Sequence, residues 1–170
     1  MCHTQRIHTT NPNQEGGSMN WKCIIVGAIV FFIVTNILGM FVSGPLIHEG
    51  ILDDAYMANE SFWRPELTQD PPDMGALMPM WLLNGFIVSL IVAGLFCCFR
   101  GCLKGAEWKR GMMFGLCLAI FGAGMNLAWS GVFNLPAQIW IWWAIDGLVA
   151  YLIGGMAMGW AVGKWGGVGD

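Results

Sequence analysis

Three long stretches of this chain carry no charged side chain: residues 23–48, 74–99 and 111–145. Each exceeds the roughly 20 apolar residues that cross about 30 Å of hydrocarbon at about 1.5 Å per residue. No water-soluble core of a 170-residue chain hides so much apolar surface. Hydrophobic residues make up 56% of the sequence and charged ones 11%, against roughly 25% charged in a soluble domain. The chain therefore reads as an all-α polytopic membrane protein. The third neutral stretch is too long for one crossing, and Asn134-Leu135-Pro136 marks a turn within it. Four helices follow, at about 23–42, 77–99, 111–130 and 137–163.

Charge sets the expected orientation. Seven of the eight basic residues, Arg6, Lys22, Arg100, Lys104, Lys109, Arg110 and Lys164, fall on one side of this arrangement, and only Arg64 on the other. The positive-inside rule then places both termini in the cytoplasm and the acidic loop 43–76 outside. Tryptophans agree. Trp81, Trp129, Trp140, Trp142 and Trp143 lie near the expected outer boundary, while Trp21, Trp108, Trp160 and Trp165 lie near the inner one. Indole rings gather at such interfaces.

Residues 1–18 form a polar tail without the apolar core of a signal peptide. Met19-Asn20-Trp21-Lys22 reads as a natural beginning of the membrane domain, which spans 19–165. Glu15-Gly16-Gly17 fits a purine-rich tract upstream of a bacterial start at Met19, and the alternative is a genuine tail. Pro45 suits the first turn of a helix. The segment from Pro45 to Glu60 reads as a short amphipathic helix at the outer interface, with Ile47, Ile51 and Ala55 on one face. Phe62-Trp63-Arg64-Pro65 ends it.

Each expected helix carries one strongly polar residue: Asn36, Asn84, Asn126 and Asp146. Counted from the neighbouring prolines, all four sit at similar depth in the outer half of the bilayer. Lipid-facing amides and carboxyls are costly, so all four are expected to face inward. Two readings follow: interhelical hydrogen bonds that fix the packing, or a polar site or pathway centred on Asp146. No Lys or Arg lies within the spans to pair with Asp146, and desolvation favours its neutral form. Gly155, Gly159 and Gly163 on the fourth helix and Gly111 and Gly115 on the third form ridges for close helix packing, within the chain or between subunits. Helices 1 and 3 each carry an Asn and end near a proline, a faint sign of a duplicated hairpin.

Other site chemistry is sparse. His48, Glu49 and Asp53 are candidate metal ligands, set against a simple solvated acidic face. Trp63 and Arg64 are candidate partner contacts, because both types are frequent at binding hot spots. Cys97, Cys98 and Cys102 cluster at the cytoplasmic end of helix 2, where a reducing compartment argues against a structural disulfide. Cys23 and Cys117 read as small apolar membrane residues. No nucleophile–base pair, phosphate-binding glycine loop or paired carboxylates appear, so no cofactor is expected. No basic surplus points to nucleic acid.

The Met19-Asn20-Trp21-Lys22 start, with His48, Ile51-Leu52 and Trp63-Arg64-Pro65 before helix 2, resembles small uncharacterised bacterial four-helix integral membrane proteins. The resemblance implies the fold and a bacterial inner-membrane location, and no chemistry. The sequence favours a non-enzymatic protein acting through association, as a homo-oligomer or an accessory subunit of a membrane complex. The alternative is a small oligomeric transporter or channel for a proton, cation or small polar solute, using Asp146 and the asparagines.

Overall fold

Asn20 opens the first helix because its side-chain oxygen accepts the Cys23 N–H at 3.0 Å, satisfying an otherwise orphaned donor. The computed structural model describes residues 20–69 and 71–168. The tail 1–18, Arg6, Met19 and Asp70 lie outside the described residues. Helix α1 (Trp21–Leu38) continues without a break into a π-helical segment, Gly39–Ile51. A single turn, α2 (Asp53–Met57), and a 3-10 turn, Glu60–Phe62, follow. The remaining long helices are α3 (Met74–Phe99), α4 (Glu107–Ser130) and α5 (Ala137–Trp165). Four helical stretches are long and apolar enough to cross a membrane: Trp21–Ile51, Met74–Cys102, Glu107–Ser130 and Ala137–Trp165.

The first of these corrects two expectations. Helix 1 does not stop at Val42, and no separate amphipathic helix starts at Pro45. Proline removes one N–H and crowds the carbonyl four residues back, which breaks an α-helical ladder. The wider π turn shifts bonding to the fifth residue back and carries the chain past the ring. The Leu52 N–H closes this segment on Ile47 O at 2.8 Å. Glycines leave the turn room: a Cβ on Gly44 would stand 3.0 Å from Gly39 O, and one on Gly50 3.1 Å from Pro45 O.

Helices α1 and α5 form the central pair, with α3 against α1 and α4 against α5. Gly27 lies where three helices meet, since a Cβ there would sit within 3.3 Å of Ala93, Met158 and Val162. The glycine ridges of α4 and α5 face each other inside the chain. A Cβ on Gly155 would approach Gly111 O to 2.5 Å and Gly115 Cα to 3.0 Å, while one on Gly163 would meet the Glu107 side chain at 2.8 Å. Gly159 lies against Gly111, and Gly115 against Tyr151. Ala28, Phe31, Val92, Ala93, Phe96, and Met158 fill the dry core. Outside, Ile25, Ile29, Ile33 and Ile37 repeat every fourth residue as an exposed apolar row, as fits a helix apolar enough to cross a membrane.

The end that carries Trp21 and Trp165 is tied polarly and covalently. Asn20 Nδ2 donates to Gly166 O at 3.3 Å, joining the start of α1 to the end of α5. Glu107 lies between Arg100, at 3.2 Å, and Arg110, a turn away on its own helix. Cys23 and Cys97 are joined by a disulfide linking α1 to α3, against the expectation of reduced thiols there. The antiparallel packing of α1 and α3 brings residues 74 apart in sequence to a Cα separation of 6.3 Å, a proximity that spacing cannot reveal.

The α4–α5 contact yields a direct prediction. Gly155→Ala, which drives a methyl into backbone, is expected to destabilise the folded protein by about 1–3 kcal/mol. Gly94→Ala, at a site with nothing within 4 Å, is expected to be neutral. Thermal unfolding in mild detergent compares the two.

Candidate functional site

The π-helical segment turns two polar residues toward α5. Ser43, 5% exposed, donates its hydroxyl to Asp146 Oδ1 in a short bond. One turn on, His48 Nε2 lies 3.5 Å from Asp146 Oδ2. Asp146 thus has partners, although neither is a Lys or Arg. One of them is an imidazole from a segment read in sequence as loop.

The chain of bonds extends outward. His48 Nδ1 lies 2.7 Å from the Tyr56 hydroxyl, and the same oxygen accepts the indole N–H of Trp143 at 2.9 Å. Trp63 donates its indole N–H to Tyr56 O at 3.0 Å. Tyr56 thus joins the two ends of the network: its hydroxyl oxygen accepts from Trp143 and faces Nδ1 of His48, whose Nε2 faces the carboxylate.

An aromatic wall encloses this network. Leu52 and Ile139 are wholly buried, and Ile47, Leu135, Trp142 and Trp143 pack around them. Trp63 meets Tyr56 edge to face at 5.0 Å and Trp143 at 6.2 Å. Burial pushes the Tyr56 phenol above its ordinary value of 10.0; the Trp143 bond opposes this, and the negative Asp146 adds to the rise. Outside the wall, Arg64 pairs with Glu66 at 3.0 Å and holds that carboxyl below its ordinary 4.5. This exposed pair contributes little to stability.

Beside the network, α4 and α5 part above their glycine contact and leave a cavity of about 130 Å³ lined by Gly122, Asn126, Trp143, Gly147 and Tyr151. A second cavity of about 170 Å³ continues along Phe62, Trp129, Phe133 and Trp140. The Trp140 indole N–H is buried without an acceptor.

No known protein family, curated protein or solved structure matches this chain. The site is therefore read from its own geometry.

The four polar residues expected to converge do not. Asn36 donates to Phe32 O on its own helix at 2.8 Å. Asn84 is exposed on the outer surface of α3, not turned inward. Asn126 lines the α4–α5 cavity, and only Asp146 joins the network. Equal depth along a helix axis says nothing about direction around it. Trp63 is likewise an internal packing residue rather than a free anchor, while Arg64 remains exposed. Glu49 and Asp53 are exposed, and His48 turns to Asp146 and Tyr56, so the candidate metal ligands are not gathered. Among the described residues no three His, Cys, Asp or Glu side chains form such a cluster. Ser43, Tyr56 and Trp143 were not legible as site residues. The Ser43-Gly44-Pro45 run was the available signal, read there as a helix end.

Tyr56→Phe leaves the Trp143 N–H without its acceptor and is expected to cost about 1–3 kcal/mol. The raised phenol also sets a pH dependence. Its folded value lies above its unfolded one, so the neutral phenol stabilises the fold, fully below pH 10.0. That contribution disappears as pH rises through the folded value. Thermal stability followed upward from pH 10.0 is expected to fall more steeply in the wild type than in Tyr56→Phe.

Proposed function

We propose that this chain is a non-enzymatic integral membrane protein that acts through association, as a homo-oligomer or as an accessory subunit of a larger membrane complex. In the proposed orientation both termini lie in the cytoplasm of a bacterial cell and residues 43–76 lie outside. Seven of eight basic residues on the termini side support this orientation.

One observation carries the association reading. The Asn84 side chain is exposed on α3 within a span, flanked by the exposed apolar residues Met80, Leu83, Ile87, Val88 and Ile91. Hydrocarbon offers an amide no hydrogen bond, and its exposure there costs free energy. A second membrane helix against this face supplies the missing partner, and side-chain hydrogen bonds between membrane helices contribute about 0.6–2 kcal/mol. The glycine ridges are already occupied within the chain, so the apolar face around Asn84 is the better candidate for the contact.

The transport reading rests on a different observation, the linked Ser43–Asp146–His48 groups. Against it, the half of the bundle that carries Trp21 and Trp165 is closed by Ala28, Phe31, Ala93, Phe96 and Met158, with no polar path among the described residues of one chain. Ser89 and Thr35, at intermediate depth, spend their hydroxyls on their own helices.

Gentle purification from native membranes with cross-linking and mass spectrometry tests the proposal. A stable oligomer or partner is expected, weakened several-fold by Asn84→Leu with the monomer fold intact. Finding neither partner nor self-association defeats it. Asp146→Asn is expected to leave that association in place. Solute or proton flux in proteoliposomes that Asp146→Asn abolishes transfers support to the transport reading.

A further inference from the structure

The Cys23–Cys97 disulfide lies where its surroundings argue against a permanent bond. It joins the first turn of α1 to the last turn of α3, at the end that also carries Lys22, Arg100, Lys104, Lys109, Arg110 and Lys164. In the proposed orientation, on which this inference rests, that end faces the reducing cytoplasm. Disulfides in that compartment are usually transient and serve catalysis or redox sensing. Cys23 belongs to the same buried core as Ala28, Phe31, Val92, Ala93 and Phe96, and Cys97 packs against it, so apolar packing holds α1 beside α3 in addition to the bond.

We propose that Cys23 and Cys97 form a redox-active thiol–disulfide site that exchanges with cytoplasmic dithiols, switching α1 between a state cross-linked to α3 and one held only by packing. The two sulfurs are unequally accessible. Cys23 is 1% exposed, whereas Cys97 is half-buried and borders the exposed Cys98. Attack therefore falls on Cys97. A thiolate of the reductant forms a bond to Cys97 Sγ, the Cys23–Cys97 bond breaks, and Cys23 leaves as a thiolate that takes a proton from water. The Asn20-capped first turn of α1 presents the positive end of its dipole to that leaving sulfur. The reductant's second thiol gives up its proton and displaces Cys97, which leaves as a thiolate and is protonated in turn. The site gains two electrons and two protons, and the dithiol becomes a disulfide.

Thiol trapping in intact bacterial cells tests the proposal. Cells expressing the full chain are quenched with a permeant alkylating agent, then the protein is reduced and labelled with a second, isotope-coded agent. The Cys23 and Cys97 peptides are read by mass spectrometry, which requires no substitution. Both forms are expected during growth. The oxidised fraction should rise at least several-fold after diamide and fall again once dithiothreitol is added. Cys97→Ser, quenched with acid and alkylated in denaturant so that the buried Cys23 is reached, should leave Cys23 as a free thiol during growth. A pair that stays wholly oxidised through dithiothreitol treatment marks a static cross-link and overturns the proposal. A pair that stays wholly reduced after diamide overturns it as well. A membrane-impermeant maleimide tests the orientation separately through Cys98. Labelling of Cys98 from outside intact cells overturns the orientation and the cytoplasmic exchange together. A static bond with Cys98 protected overturns the exchange alone.

Discussion

The passage of a helix through Pro45 is the constraint on which the rest of this structure depends. An α-helical register would end or kink there, because the ring displaces one donor and crowds one carbonyl. The π register between Gly39 and Ile51 absorbs both effects and keeps α1 and its extension a single rod. Only with that rod intact do Ser43 and His48 reach Asp146 on α5. A rod ending at Val42 would leave His48 in a loop and the carboxyl of Asp146 without partners inside the bundle.

The two ends of the bundle use different chemistry. At the loop end, Asp146, Ser43, His48, Tyr56 and Trp143 satisfy one another beneath an aromatic wall. They lie beside the cavity between α4 and α5. At the end that carries Trp21 and Trp165, the bundle is tied by the Cys23–Cys97 bond, the Arg100–Glu107–Arg110 cluster and the Asn20 contact with α5. Glu107 Oε2 and Arg110 Nε are buried there without partners, so that cluster is incompletely satisfied. Between the ends, apolar packing and glycine contacts close the interior.

The asparagines show how depth and direction separate. Asn36, Asn84, Asn126 and Asp146 lie at comparable heights, as counting from the prolines indicates. The structure nevertheless turns Asn36 back on its own backbone, Asn84 outward, Asn126 toward a cavity and Asp146 into the network. Intrahelical satisfaction lets a polar residue stay in a span without a neighbour. An outward amide then becomes informative, because hydrocarbon supplies nothing in its place. Trp63 follows the same logic in reverse. Its residue type suggested a surface anchor, but Tyr56 O and the neighbouring rings hold it inside.

By itself, the sequence determined four helices, their approximate limits apart from the end of the first, and the glycine ridges, because these follow from local properties: uncharged length, prolines, and small residues repeating along one face. Helix starts at Trp21, Met74 and Glu107 extend those limits by a few residues, since caps such as Asn20 and Asp73 act before the apolar run begins. Tertiary structure alone decided that Cys23 meets Cys97, that Asp146 meets His48, and that the ridges of α4 and α5 spend themselves on each other. Each of these depends on the rotation of a helix about its axis and on which helix stands beside it. A membrane makes every face of a span apolar, so the hydrophobic periodicity that reveals rotation in a soluble helix is largely absent here.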